Sequence, residues 1–181
     1  MTNAKKLITP ALVLFLICLA VSALLAGVNA ITKDKIAAME AEALEKSTRQ
    51  VLPLASTFTA IEAEGVLGFV GKNGEGAVVG YVFINAAKGY GGDVTAVVGL
   101  DTEGAIVGIS VDAPDETPGL GVNVEKDSFL SQFLGKPDGD FAVKENVTAQ
   151  TGATYSSKAV AVAVNMALAQ FKQVTEGGSA S

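Results

Sequence analysis

Apolar residues fill the start of the chain almost without interruption and later thin into short alternating runs, so two kinds of structure are expected in succession. Residues 7–28 carry no charge and are rich in Leu, Val, Ile and Ala; only Thr9, Pro10, Ser22 and Gly27 interrupt them. A helix of these 22 residues, rising about 1.5 Å per residue, is long enough to cross a hydrocarbon core about 30 Å thick. Over residues 33–50 the period is again helical, with Ile36, Met39, Ala43 and Leu44 on one side and Lys35, Glu42, Glu45 and Lys46 elsewhere. This reads as a stalk, which Pro53 stops.

Beyond the stalk the period shortens to two. Strands are predicted at residues 58–62, 66–70, 77–86, 93–100 and 106–111. The clearest is the fourth, where Val94, Ala96, Val98 and Leu100 alternate with Thr95, Val97 and Gly99. Asp101-Thr102-Glu103-Gly104 then reads as a hairpin turn. Two helical segments follow. Asp127 is placed to cap a short helix through Leu134 that buries Phe129, Leu130 and Phe133 and ends at Gly135 and Pro137. Ser156 or Ser157 is placed to cap a longer helix from Lys158 to about Val174, striped by Val160, Val164, Ala167, Leu168 and Phe171. The expected architecture is α+β, a single N-terminal transmembrane helix followed by one domain of mainly antiparallel sheet with flanking helices. Its expected boundaries are a cytoplasmic N-terminus at 1–6, the span at 7–28, the stalk at 29–53, the domain at 54–175 and a disordered tail at 176–181.

Composition narrows the function. The 181 residues are 49% hydrophobic and only 18% charged, enough for one globular domain and an apolar segment. Val28-Asn29-Ala30 resembles a signal-peptide cleavage site, but the apolar run exceeds the usual ~7–15 residues of such a signal, which favours a retained anchor. Bulky Phe15-Leu16-Ile17 before Cys18 argues against a lipoprotein signal. Lys5 and Lys6 precede the span, whereas the far flank, Thr32-Lys33-Asp34-Lys35, soon turns acidic. The soluble part is therefore expected outside the cytoplasm, held by a single pass in the cell membrane. A net charge of −6 speaks against a nucleic-acid partner. The chain has no histidine and one cysteine, which excludes a Ser-His-Asp triad, a histidine metal site, an iron–sulfur cluster and an internal disulfide. Cys18 reads as a lipid-facing filler. Asp138 and Asp140 lack the spacing of a calcium loop and read as a solvated turn, so no metal is expected. Redox chemistry in this chain would need an imported organic cofactor.

Three loops are candidates for holding one. Thr151-Gly152-Ala153-Thr154-Tyr155-Ser156-Ser157 runs into the long helix, where unpaired N–H groups and the positive end of the macrodipole favour an anion such as phosphate. Thr154 adds a hydroxyl able to carry a phosphoester. In Asp115-Glu116-Thr117-Pro118-Gly119-Leu120-Gly121, Pro118 and Gly119 suit positions i+1 and i+2 of a type II turn, and Glu116 and Thr117 offer polar groups beside accessible backbone. Lys88-Gly89-Tyr90-Gly91-Gly92-Asp93 lets a ligand or another backbone come close, with Tyr90 available to pack on a ring. Each loop alone is equally consistent with ordinary turn and cap chemistry.

Taken in order, these loops with Val51-Leu52-Pro53, Val98-Gly99-Leu100-Asp101 and residues 129–135 resemble the G subunit of the Rnf ion-translocating oxidoreductase complex, a branch of the FMN-binding domain family. The C subunit of the sodium-pumping NADH:quinone reductase shares the Glu-Thr-Pro-Gly-Leu-Gly and Thr-Gly-Ala-Thr runs. The resemblance implies FMN joined through its phosphate to Thr154, within Thr151, Gly152, Ala153, Ser156 and Ser157, with Glu116, Thr117, Gly119 and Leu120 near the isoalloxazine ring. It further implies an electron-transfer subunit, not a complete catalyst alone, in a membrane complex moving electrons between ferredoxin and NAD. The implied partners are the other Rnf subunits, a flavin-transferring enzyme and the lipid bilayer. Thr148 departs from the family pattern, which has an acidic residue three positions before the motif's first hydroxyl; slower flavin attachment is expected. Membership of the quinone reductase or another respiratory complex, and an anchored binding module without cofactor, are the alternatives.

Overall fold

A computed structural model of the chain describes residues 2–136 and 139–176. The chain divides into two compact units, residues 1–44 and 45–181. In the first, the unbroken helix α1 (Thr2–Val51, whose last turns belong to the second unit) carries the whole apolar run with Pro10 inside it. An 18-residue window within Pro10–Val51 reaches a mean hydropathy of 2.8, long and apolar enough to cross a membrane. Side chains at residues 10–36 are all exposed.

The second unit is built on a five-stranded antiparallel sheet in the order β1-β2-β3-β4-β5. Its strands are β1 (Thr57–Ala60), β2 (Gly68–Lys72), β3 (Val78–Lys88), β4 (Asp93–Leu100) and β5 (Ile106–Asp112). The alternation read from β4 holds: Val94, Ala96, Val98 and Leu100 are fully buried on one face with Tyr81, Phe83 and Ile106. The predicted turn is also present, since Asp101 Oδ1 accepts hydrogen bonds from the N–H groups of Glu103 and Ala105, both at 2.9 Å. After β5 come a 3₁₀ turn (Gly121–Glu125), a one-turn helix α2 (Asp127–Leu130) and the long helix α3 (Thr154–Glu176).

α3 covers the sheet through the expected stripe of Val160, Val164, Ala167, Leu168 and Phe171, all buried. Phe171 meets Tyr81 edge to face with centroids 5.4 Å apart, and Asn85 Nδ2 on β3 donates to Gln170 Oε1 at 2.9 Å. On the opposite face, Gly71, Gly80, Gly99 and Gly108 line up across β2 to β5, with Gly71 opposite Gly80 and Gly99 opposite Gly108. Leu52 lies over the first pair, 2.5 Å from where a Gly71 Cβ would sit, and the Val51 carbonyl lies where Cβ atoms on Gly99 and Gly108 would be. Val51 and Leu52 are each 1% exposed. The glycines thus form a trough into which the end of α1 settles.

Two expected helix starts are corrected. α3 begins at Thr154, not Lys158, so Ser156 and Ser157 occupy its first turn and neither caps it from outside. Lys126, not Asp127, stands at the N-cap of α2 and makes no capping bond; Asp127 is the acid of the first turn, where the dipole favours it. That helix ends at Leu130, and looser turns lead to Gly135, whose φ of 72° provides the expected stop. Pro137, Asp138 and residues 177–181 of the expected tail lie outside the described residues, and Glu176 closes α3.

Candidate functional site

The three glycine-rich loops meet at one cleft of about 340 Å³. It is lined by Tyr90 from the loop after β3, by Glu116, Thr117, Leu120 and Gly121 from the segment after β5, and by Gly152, Ala153, Thr154, Tyr155 and Ser156 at the head of α3. Its volume falls in the range of small-ligand sites.

Two turns of the same form frame it. Leu120 N–H donates to the Thr117 carbonyl at 3.1 Å, with Pro118 and Gly119 between them and Gly119 at φ 76°, as a type II turn requires. Ala153 N–H donates to the Gln150 carbonyl at 3.0 Å around Gly152, also at φ 76°. The turns abut: a Cβ on Gly152 would lie 3.1 Å from Leu120 Cδ2. The second turn delivers the chain into α3 with Thr154 as its first residue, half-buried at the cleft wall. In this first turn the N–H groups of Thr154, Tyr155 and Ser156 have no intrahelical acceptor, while Ser157 N–H already bonds the Ala153 carbonyl at 2.9 Å.

Glu116 closes the assembly from beneath. It is 3% exposed, and both of its oxygens are engaged. Oε1 accepts from Tyr90 N–H at 2.6 Å and Gly91 N–H at 3.3 Å, and Oε2 accepts from Ser156 Oγ at 2.9 Å. Gly89 and Gly121 leave room for it, because a Cβ on either would overlap the carboxylate. Ser157 Oγ faces inward, donating to the Ala153 carbonyl at 2.8 Å and accepting from Gln150 N–H at 3.0 Å.

The sequence-predicted residues therefore separate by position. Glu116, Thr117, Leu120, Gly152, Ala153, Thr154 and Ser156 line the cleft. Thr151 is exposed outside the lining, Ser157 is buried behind it, and Gly119 shapes the turn while its carbonyl accepts from Asn123 Nδ2 at 2.7 Å. Tyr155 and Gly121 also belong to the lining, although only their places within two motifs pointed to them. Tyr90 and Tyr155 stand 74% and 67% exposed at the rim, their ring centroids 6.3 Å apart. Thr148, at the position where an acid was expected, is held through its backbone by the Gln132 side chain at 2.8 and 3.2 Å.

This donor set fits a phosphorylated planar heterocycle. One end offers first-turn N–H groups and a hydroxyl to a phosphate, and the rim offers two aromatic rings to a flat ligand. Residues 89–169 match the FMN-binding domain family, so the class of the protein agrees with the cleft. Residues 1–51 match the RnfG N-terminal region. Over 191 residues the chain is 30% identical to the G subunit of the Na(+)-translocating ferredoxin:NAD(+) oxidoreductase complex of Acetobacterium woodii, with 91% of each chain covered. It is 29% identical over 180 residues to the G subunit of the ion-translocating oxidoreductase complex of Methanosarcina acetivorans, covering 93% of this chain and 96% of the relative. It is 40% identical over 105 residues to the G subunit of the proton-translocating ferredoxin:NAD(+) oxidoreductase complex of Clostridium ljungdahlii, spanning 57% of that relative and 55% of itself. A crystal structure of the C subunit of Na(+)-translocating NADH-quinone reductase from Parabacteroides distasonis superposes at a TM-score of 0.49 with 23% identity, covering 64% of each chain. The chain belongs to the G-subunit family of the Rnf ion-translocating oxidoreductases.

Proposed function

We propose that the chain is an electron-carrying subunit of a membrane-bound ferredoxin:NAD oxidoreductase, with FMN esterified through its phosphate to Thr154. The carrying observation is the placement of Thr154 as the first residue of α3, in the wall of the cleft where the three loops meet. Thr151, the other hydroxyl of the motif, is exposed outside that wall, which favours Thr154 as the attachment point. The Thr154 oxygen would form the bond to phosphorus while the phosphoanhydride bond of a flavin dinucleotide donor breaks; the nucleoside monophosphate would leave and the hydroxyl proton would pass to solvent, with a flavin-transferring enzyme as partner. The N–H groups at the head of α3 would hold the remaining phosphate charge. Gly152, Ala153 and Ser156 would shape the phosphate end, with Ser157 buried behind them and Thr151 outside; Glu116, Thr117 and Leu120 would form the wall toward the ring, with Gly119 shaping the turn that presents them. When bound, FMN supplies electron transfer in single or paired steps.

The apolar part of α1 would cross the bilayer once, with Lys5 and Lys6 on the cytoplasmic side and the cleft outside. No ionisable side chain lies between Lys6 and Lys33 apart from the Cys18 thiol, so the path for the ion would belong to the other subunits of the complex. The relatives' names divide between sodium and protons.

The test is protein made together with the transferase, denatured, separated by electrophoresis and digested. Flavin fluorescence is expected to survive denaturation, with the added mass on the peptide containing Thr154. Thr154→Ala is expected to abolish the attachment while the fold persists, because α3 is held by its buried stripe and not by this hydroxyl. Fully modified material with a bare Thr154 fragment would overturn the proposal.

A further inference from the structure

We infer that Glu116 is the positioning residue of the flavin site: a buried carboxylate that clasps the loop of Tyr90 to the head of α3 and places a fixed negative charge in the cleft wall. This rests on the flavin reading of the cleft. Two stretches of chain distant from Glu116 converge on it, through Tyr90 N–H and Gly91 N–H on one side and Ser156 Oγ on the other, and a carboxylate is the side chain able to accept from all three donors at once. With 3% of its surface exposed and both oxygens engaged, Glu116 is not free to serve as a ligand arm. Its first effect on a bound ring runs through what it holds: the Tyr90 side of the rim and the Ser156 turn immediately after Thr154.

The clasp costs the site something. Two N–H groups of the 88–93 loop, which could otherwise meet an anion, are turned inward to the carboxylate, so the phosphate end is left to the head of α3. The charge has a second consequence. Reduction of a flavin builds up negative charge on its ring system, and a nearby carboxylate opposes that build-up, so Glu116 holds the potential of the bound flavin below the value it would have beside a neutral group.

The experiment uses the full chain, with and without the transferase. In flavin-free protein, Glu116→Ala is expected to speed hydrogen exchange at the Tyr90 and Gly91 amides about tenfold. With transferase present, the same variant and, to a smaller extent, Ser156→Ala are expected to carry less flavin by intact mass. Glu116→Gln keeps an oxygen for the two N–H donors, so it is expected to restore both protection and loading. It should also move the flavin midpoint potential to a more positive value, a shift that loss of packing alone would not give. Unchanged exchange in Glu116→Ala, or an unmoved potential in Glu116→Gln, overturns the inference. Should Glu116→Ala fail to fold, the potential of Glu116→Gln decides it. Wild-type protein bare at Thr154 overturns the flavin reading instead, and exchange at Tyr90 and Gly91 still decides the clasp.

Discussion

Gly152 and Gly119 carry the same burden on opposite sides of the cleft: each turns the chain through a positive φ that side-chain-bearing residues adopt at a cost of about 1–2 kcal/mol. Their surroundings differ. A Cβ on Gly119 meets nothing within 4 Å, whereas one on Gly152 crowds Leu120. Gly152→Ala is therefore expected to lower stability by about 1–2 kcal/mol in denaturant titration and to reduce flavin attachment, because it displaces the turn that presents Thr154. Gly119→Ala is expected to lower stability with a smaller effect on attachment. The proline–glycine pair made the turn at Pro118-Gly119 legible from residues alone. The segment around Gly152 reads from sequence as a small-residue turn into the helix, but Thr-Gly-Ala has no proline to mark position i+1, so the form of that turn is not legible.

Elements were legible where periodicity and burial coincide. The predicted strand at residues 93–100 is β4 itself, and the long-helix stripe is the buried face of α3. α3 offers a paired check: Val164→Ala, at a fully buried position, is expected to cost about 1–3 kcal/mol. By contrast Val162→Ala, at a side chain 50% exposed, is expected to change the same titration by less than about 0.5 kcal/mol. What local pattern did not disclose is long-range. The glycines at 71, 80, 99 and 108 look like interruptions of strand pattern until β2 to β5 stand side by side, and only then does their alignment explain why Val51 and Leu52 are buried. Gly108→Ala is expected to destabilise the protein by about 1–3 kcal/mol, since the new methyl would meet the Val51 backbone, which cannot rotate away. The site was legible in part for the same reason: Thr154, Glu116 and Tyr90 each sat in a visible motif, but the bond from Ser156 to Glu116 joins residues 40 apart in sequence, a pairing that local spacing does not encode.

For the chain as an assembly in the bilayer, the expected topology has a direct check. Cys18 is the one cysteine in the sequence, so Cys18→Ser followed by a cysteine at exposed Lys172 gives a unique label. An impermeant maleimide added to intact cells is expected to modify it; protection until the membrane is broken would reverse the orientation. The cleft itself has a further property that matters at this level. Among the described residues no lysine or arginine lines the cleft, and the chain as a whole is negative. Free FMN, a dianion, would meet a repelling field and only the partial charges of a helix end to grip it. Such a pocket makes a poor trap but a good berth once its guest is moored, because a tether keeps the local concentration high whatever the surroundings contain. With the proposed tether and the proposed placement beyond the cytoplasm's supply of flavin, the protein would lose its electron carrier only when a covalent bond broke, and rinsing with salt or buffer would leave it aboard.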